Sequence, residues 1–260
     1  MLLIATPACS LLVDGNADDA PDIDLSTTCG ARSLQFAEGQ FATLPEHLAA
    51  FGAGDFTAGI WAKPENVSGR RTLVSNHEMF SAGGLGWSMG IQDSTPTVGV
   101  FSLDDQCLAA DDGGSGFSTT EWTHIAFSYT QAAGGGDAQL LLFINGREVD
   151  RQNCTSEPSP YLEKKLVLGR DARAGSGGYL GQLDDFVICA PGTLAEFAPE
   201  DLPYCRDEGA RILAAFPMEP EEATSQSVDD LVDPDFSGTL GTVDRVETED
   251  PAYVDGDECD

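Results

Sequence analysis

Two neighbouring segments decide the fold: EWTHIAFSY at 121–129 and LLLFINGREV at 140–149. In the first, Ile125 and Phe127 alternate with smaller residues, which is the period-two pattern of a strand with one buried face. In the second, Asn145-Gly146 follows an apolar run, and a type I′ turn needs positive φ at both of its central positions. The stretch therefore predicts a strand followed by a tight β-hairpin.

Similar short segments recur from about residue 31 onward, separated by Gly, Asp, Ser and Pro. Strands this numerous predict an all-β sandwich of two antiparallel sheets, with the acidic stretch Thr193–Leu202 as the candidate helix. The predicted strands are Ser33–Ala37, Phe41–Leu44, Phe56–Ala62, Thr72–Ser75, Trp87–Gln92, Thr97–Leu103, Trp122–Thr130, Gln139–Ile144, Arg147–Arg151, Lys165–Gly169 and Tyr179–Cys189.

The charge of the chain limits its partners. Its 260 residues carry 44 acidic against 13 basic side chains, a formal charge of −31, while 41% hydrophobic residues support a real core. Such an excess of carboxylates argues against nucleic acid and anionic membrane surfaces as partners. Two interpretations remain: a solvated acidic surface that keeps an exported protein soluble, or carboxylates of which some bind calcium.

The cysteines indicate an oxidising compartment. Seven are present and none forms a CxxC pair, which disfavours a zinc ribbon. Six widely spaced cysteines fit three disulfides, which leaves Cys9 as the odd one.

The N-terminus predicts export. Cys9 follows the apolar opening MLLIATPA, and Thr6-Pro7-Ala8-Cys9 resembles a bacterial lipobox, whose cysteine is acylated. The sequence departs from that pattern in lacking a basic segment before the apolar run and in having Thr6 where Leu is preferred. The alternative is a clipped ordinary signal peptide. We therefore expect 1–13 to be a signal or lipobox-like segment, 14–30 to be an acidic tether, and the protein to be secreted or a cell-surface or outer-membrane lipoprotein.

Five segments, taken in order, resemble the laminin-G-like jelly roll of the concanavalin A-like superfamily. Its "W-x-H-hydrophobic-A" and "L-hydrophobic-hydrophobic-N-G" strands correspond to the two segments quoted first. The others are CGARSLQF (29–36), FTAGIWAKPENVSGRRTLVSN (56–76), GWSMGI (86–91) and KLVLGRDARAGSGGYLGQLDDFVI (165–188). The resemblance implies a jelly-roll β-sandwich.

One departure concerns the order of the strands. The usual opening strand of the family, of the type "A-x-W-x-F-D-E-G", is missing at the front, whereas RILAAFPMEPEE (211–222) and DPDFSGTLG (233–241) resemble it at the back. Either the domain is circularly permuted or a truncated second domain starts there. A stub of about fifty residues could not bury its own core, which favours permutation. We therefore expect one domain over 31–260, with 211–245 supplying the usual first strands.

The hypothesis of a permuted domain leads to three predicted disulfide pairings. Permutation would place the two ends of the domain together, so a Cys29–Cys259 bridge is expected to join them. By the same logic Cys107 is paired with Cys154 and Cys189 with Cys205, although six cysteines allow fifteen pairings.

The resemblance also implies a calcium site. In related sandwiches a structural calcium is held by an acidic residue of the last strand, another near the first family strand, and backbone carbonyls. The matching positions are Asp184 in GQLDDFVI and Glu219 in FPMEPEE. The alternative is that Asp184 accepts backbone hydrogen bonds and Glu219 is solvated.

Enzymatic chemistry is not expected. Hydrolases of this superfamily carry carboxylates at alternate positions of one strand, and no strand here does. His124 lies in the "W-x-H" motif and is interpreted as a structural residue. The three tryptophans, Trp61, Trp87 and Trp122, are expected in the core. Candidates for exposed aromatic contacts are Tyr161, Tyr179, Phe80 and Phe117.

The predicted function is a non-catalytic extracytoplasmic module that recognises a glycan or polysaccharide. The alternative is a structural or adhesion protein that contacts other surface proteins through the sandwich rim, and the third hypothesis is a divergent glycoside hydrolase. The fold hosts many functions and does not choose among them. Nucleic acid is excluded as a partner, and a membrane is expected only through the N-terminal lipid anchor.

Overall fold

A computed structural model describes residues 13–14, 22–23, 32–45, 48, 55–76, 85–102, 105–111, 116–131, 138–155, 165–171, 177–190, 211–216, 218, 227–228, 238–240 and 250–255. Within these ranges the regular structure is β-strand, and no helix there is long and apolar enough to cross a membrane. The strands are β1 (Val13–Asp14), β2 (Asp22–Ile23), β3 (Arg32–Phe36), β4 (Ala42–Thr43), β5 (Phe56–Pro64), β6 (Arg70–Ser75), β7 (Gly86–Gln92), β8 (Thr95–Phe101), β9 (Gln106–Ala110), β10 (Thr123–Thr130), β11 (Ala138–Ile144), β12 (Arg147–Cys154), β13 (Val167–Leu168), β14 (Gly181–Ala190), β15 (Arg211–Phe216), β16 (Ser227–Val228), β17 (Gly238–Leu240) and β18 (Ala252–Asp255).

Two large antiparallel sheets form the sandwich, as the all-β jelly-roll prediction requires. Sheet I has the spatial order β12-β11-β10-β5-β14-β3-β18, and β15 also pairs with β14. Sheet II has the order β16-β17-β4-β13-β6-β7-β8-β9. A separate two-stranded pair, β1 and β2, lies within the stretch that the sequence assigns to the signal and the acidic tether.

The core lies between the sheets because alternate residues of each strand point inward. Phe56 of β5 and Phe127 of β10 come from sheet I and meet Trp87 of sheet II. The ring centroids of Phe56 and Trp87 are 5.7 Å apart, and those of Trp87 and Phe127 are 5.3 Å apart. All three side chains are at most 1% exposed, so the predicted inward faces of β5 and β10 are confirmed, as is the core position of Trp87.

The predicted hairpin is present between β11 and β12. Asn145 and Gly146 have φ of 48° and 75°, and the flanking residues Ile144 and Arg147 pair directly. Asn145 Oδ1 also accepts a hydrogen bond of 2.8 Å from the backbone N–H of His124, which fixes the turn against β10.

One edge of the sandwich is closed by a covalent bond. The predicted bridge joins Cys107 of β9, the last strand of sheet II, to Cys154 of β12, the edge strand of sheet I. Beside it, Asp150 Oδ2 accepts a 2.9 Å hydrogen bond from the backbone N–H of Ala110. This disulfide therefore holds the edges of the two sheets together.

The other cysteine predictions can be followed only in part. Cys189, at the end of β14, is disulfide-bonded, and its partner is outside the described residues. Cys9, Cys29, Cys205 and Cys259 lie outside them as well, as does the candidate helix Thr193–Leu202. The Cys189–Cys205 and Cys29–Cys259 pairings therefore stay predictions.

The C-terminal strands are built into both sheets. In sheet I, β15 pairs with β14 and β18 with β3, while β16 and β17 extend sheet II beyond β4. The Tyr253 hydroxyl donates a 2.7 Å hydrogen bond to the carbonyl of Ser227, which links β18 of one sheet to β16 of the other. A permuted domain would need pairings of this kind, and the permutation itself stays a prediction.

We expect the Cys107–Cys154 disulfide to contribute strongly to stability, because it closes a loop with a sequence separation of 47 residues in the unfolded chain. Replacing both cysteines with serine should lower the free energy of unfolding by about 2–4 kcal/mol, measured by urea denaturation. Thr155→Val, which removes the exposed 2.8 Å hydrogen bond to Asp105 at the same edge, is the control. It should change stability by about 0.5 kcal/mol or less. Equal losses in the two variants would show that the disulfide is not what holds this edge.

Candidate functional site

Three residues of the family motifs form a row on the outer face of sheet I. Asp184 of β14 pairs across the ladder with Trp61 of β5, and Trp61 pairs with His124 of β10. Because the neighbours of Trp61, Ile60 and Ala62, belong to the core, the row faces away from the core. The ring centroids of Trp61 and His124 are 5.2 Å apart.

A β-bulge shapes β14 at this row. The register with β5 shifts between Asp184 and Val187, and Asp185 adopts a positive φ of 46°. The backbone N–H of Asp185 donates a 2.9 Å hydrogen bond to Asp184 Oδ1, and a short polar side chain of this kind tolerates the left-handed conformation. The aspartate pair thus sets the bulge, and the bulge holds the Asp184 carboxylate beside Trp61.

His124 is built as a structural residue. It is fully buried, and burial lowers the pKa of its imidazole to about 3, so the ring is neutral at pH 7. A general base works best with a pKa near the operating pH, which this imidazole does not have. The burial agrees with the interpretation of His124 as part of the fold.

Asp184 supplies one of the two carboxylates expected to hold calcium. Its side chain is fully buried, whereas Glu219 lies outside the described residues. Calcium takes six to eight oxygen ligands, and the part of the chain that the structure describes contains no group of three or more metal-binding side chains. Calcium binding therefore stays a prediction.

The centre of this outer face is closed. Thr57, Ser128, Phe143 and Val187 point away from the inter-sheet core, yet each is only 1% exposed. Side chains this deeply covered offer no open surface, so a ligand site is better sought at the strand ends.

One end of the sandwich carries three arginines, Arg70, Arg71 and Arg170, which we call the arginine cluster. Arg70 and Arg71 open β6, and Arg170 follows β13. All three side chains are partly exposed. They stand out because the whole chain has only 13 basic residues against 44 acidic ones.

The local backbone explains how Arg170 reaches this end. After β13 the chain leaves the sheet at Gly169, whose N–H donates to the carbonyl of Leu73. It returns at Gly177, whose carbonyl accepts a 2.8 Å hydrogen bond from the N–H of Thr72. Gly177 has a φ of +69°, and a Cβ there would lie 3.3 Å from Arg70 Nε. A glycine at this point thus lets the returning chain pass close to Arg70.

Each of the three guanidinium groups of the cluster contacts a different kind of partner: an aromatic ring, a backbone carbonyl or a carboxylate. Arg170 Cζ lies 3.2 Å from the centroid of the Phe41 ring. Arg71 Nη1 donates a 3.0 Å hydrogen bond to the carbonyl of Gly178. Arg70 Nη2 lies 3.8 Å from Asp171 Oδ2, and the Asp171 side chain is fully buried.

The environment of Arg170 is costly for a cation. Burial lowers the pKa of its guanidinium, and the nearby negative charge of Asp171 raises that pKa and so opposes the effect of burial. Its Nε is buried and has no hydrogen-bond acceptor among the residues that the structure describes. A buried donor without an acceptor has lost its water contacts without replacement, which adds to the cost of holding this guanidinium here.

Two of the aromatic residues expected to be exposed are buried, so that expectation is wrong for them. Tyr179 is fully buried, packs edge-on to Phe36 at 6.2 Å, and donates a 2.9 Å hydrogen bond to the carbonyl of Gln182. Phe117 is only 5% exposed. Phe80 and Tyr161 lie outside the described residues.

Two of the three tryptophans are less buried than a core position requires. Trp61 and Trp122 are partly exposed, in contrast to Trp87. Sequence reasoning also missed Phe41 and the arginine cluster. The available signal was the rare Arg70-Arg71 pair in so acidic a chain.

The comparisons with known proteins agree with this architecture. A laminin G family model, described as concanavalin A-like lectin/glucanases superfamily, matches residues 36–190. The chain belongs to this superfamily. Comparison with curated proteins gives no match.

Solved structures are similar to this superfamily member at low sequence identity. A Bacteroides ovatus protein provisionally described as carbohydrate-binding is 12% identical, with a TM-score of 0.60 over 82% of this chain and 58% of that chain. Mouse laminin α1 domains LG4-5 are 11% identical, with a TM-score of 0.48 over 82% of this chain and 51% of that one. A pentraxin from Limulus polyphemus is 13% identical, with a TM-score of 0.42 over 61% and 75%. The chain thus spans just over half of the Bacteroides protein, and the similarity shows the fold alone.

We expect His124 to make stability depend on pH. Its pKa is about 3 in the folded protein and near 6.5 when unfolded, so the unfolded state takes up a proton first as pH falls below 6.5. Stability is then lost at ~1.4 kcal/mol per pH unit, or about 2 kcal/mol between pH 7 and 5.

The comparison variant is His124→Phe, which keeps a ring beside Trp61. Urea denaturation at several pH values should give it a shallower loss of stability below pH 6.5, while above pH 7 the two curves run parallel. Identical slopes from pH 6.5 to 5 would show that His124 is not the titrating group.

Proposed function

We propose that the protein is a non-catalytic extracytoplasmic module that binds a glycan or polysaccharide at the end of the sandwich that bears the arginine cluster. The observation that carries the proposal is the stack of the Arg170 guanidinium on the Phe41 ring, formed by two residues that are both partly exposed. Ligand sites commonly combine an apolar or aromatic surface with a few fixed polar groups. The stack supplies both at one place.

Rigid support favours this end of the molecule. The connection between β5 and β6 joins sheet I to sheet II here, and backbone hydrogen bonds anchor it on both sides. Glu65 N–H donates to the carbonyl of Leu180, and Ser94 N–H donates to the carbonyl of Val67. A binding surface on loops held in this way is preorganised, which lowers the entropic cost of association.

The chemistry at this end suits binding better than hydrolysis. A retaining glycosidase needs two carboxyl groups about 5–5.5 Å apart on either side of the scissile bond. Of the carboxylates described at this end, Asp171 is fully buried and faces Arg70, so it does not provide one of such a pair in this arrangement. The carbohydrate-binding description of the Bacteroides ovatus protein supports the same reading by analogy of fold.

Export is part of the proposal. The Cys107–Cys154 disulfide is the kind of bond that persists in an oxidising compartment. Together with the lipobox-like segment ending at Cys9, it supports a secreted protein or a surface lipoprotein.

The full chain should bind one class of immobilised glycan saturably, because the site is preformed. The measurement is binding to a broad glycan and polysaccharide array, with calcium and again with EDTA. Phe41→Leu, which removes the ring under Arg170, should reduce that binding. The control is Phe101→Leu, at the end of β8 away from the arginine cluster, which should leave binding unchanged.

Failure of the folded full chain to bind any glycan in either condition would overturn the proposal. The leading function would then be adhesion to other surface proteins through the same end.

Calcium is proposed as a structural ion held by Asp184, Glu219 and backbone carbonyls. If it binds, saturation at 100 times the dissociation constant should stabilise the fold by about 2.7 kcal/mol. Thermal unfolding with calcium and with EDTA measures this difference. Asp184→Asn should abolish it, and Asp93→Asn, at an exposed turn, should keep it. Equal unfolding temperatures of the wild type in calcium and EDTA would remove calcium from the proposal.

A further inference from the structure

We infer that the arginine cluster selects glycans that carry isolated carboxylates, such as uronic acid residues, over neutral glycans and over densely sulfated ones. This inference rests on the proposed function and adds the chemical class of the ligand. It depends on three features of the cluster: the fixed plane of Arg170, the partial exposure of Arg70, and the acidic residues around them.

The Phe41 ring fixes the plane of the Arg170 guanidinium. With Cζ 3.2 Å from the ring centroid, the guanidinium lies on the face of the ring. A planar guanidinium held in one orientation matches a carboxylate through two parallel N–H···O bonds, which a neutral sugar hydroxyl cannot make. The geometry therefore favours a carboxylate over a hydroxyl.

Arg70 adds a second positive charge to the cluster, close to Gly177, where the chain returns to the sheet. Its side chain is 27% exposed, while the Asp171 carboxylate 3.8 Å away is fully buried. A ligand approaching from solvent thus meets the guanidinium of Arg70 before the carboxylate of Asp171. Arg71 serves by holding the Gly177–Gly178 turn in place through its hydrogen bond to Gly178.

The surrounding acids limit the ligand to a few charges. Asp93 is an exposed carboxylate in the turn after β7, the strand whose last residue, Gln92, pairs with Arg70. The chain as a whole has a net charge of −31. Charges are screened beyond about 8 Å at physiological ionic strength, so attraction to the cluster acts only at contact distance. A densely sulfated chain would bring further negative charges close to Asp93 and be repelled.

The test compares three probes of equal length with the full chain: an oligogalacturonate, the same oligosaccharide after reduction of its carboxyl groups, and a heavily sulfated heparin oligosaccharide. Affinities are measured by calorimetry at 0.15 M salt. We expect the oligogalacturonate to bind at least tenfold more tightly than either of the others. The affinities of glucuronate and mannuronate oligosaccharides are measured as well, because the inference concerns the carboxylate and does not specify which uronic acid carries it.

Variants connect that preference to the cluster. Arg170→Gln and Arg170→Lys should each weaken uronate binding about tenfold, because neither side chain offers two parallel donors in a plane. Arg147→Gln removes the same charge from an exposed position on the edge strand of sheet I and should leave affinity within twofold. Circular dichroism and thermal unfolding check that the Arg170 variants remain folded.

The outcomes separate the inference from the proposed function. Binding to neutral glycans that Arg170→Gln leaves unchanged would overturn the inference and leave the glycan-binding function in place. Tighter binding of the sulfated probe would also overturn it. Absence of binding to every probe and to the glycan array would overturn both.

Discussion

The contact on which the rest of the structure depends is the aromatic packing between the sheets. Phe56 and Phe127 of sheet I and Trp87 of sheet II have ring centroids 5.3–5.7 Å apart and are almost fully buried. Burying each ring contributes roughly 1.5–3 kcal/mol, and each aromatic pair about 0.5–1.5 kcal/mol more. Because these residues lock β5, β10 and β7 together, they also fix where the ends of those strands lie.

The inward residues determine what faces outward. Once Ile60 and Ala62 of β5 point to the core, Trp61 between them must face away, and its ladder partners Asp184 and His124 must follow. The burial of His124 and the position of Asp184 beside the bulge are thus consequences of strand register. This explains why residues conspicuous in the family motifs serve the fold, whereas the candidate ligand contacts lie elsewhere.

The sequence predicts what local patterns encode. Alternation placed β5 and β10, and the Asn145-Gly146 pair placed the hairpin. It missed β9 (Gln106–Ala110), a short strand that lies between two aspartate pairs that resemble turns. It also missed β18, which is held by long-range pairing with β3. Tyr179 was expected to make exposed contacts, yet its ring is fully buried.

The candidate site shows why such predictions fail for binding surfaces. Phe41 precedes β4 and Arg170 follows β13, and no local pattern connects them; they meet because β4 and β13 pair in sheet II. In a chain with so many carboxylates, long-range attraction cannot bring an anion to the surface. Recognition of an anionic ligand must then come from contacts made at close range, where a desolvated guanidinium with a fixed plane is worth more than a solvated one. Burial of Arg170 against Phe41 provides this condition, at the cost of the hydration that the guanidinium gives up.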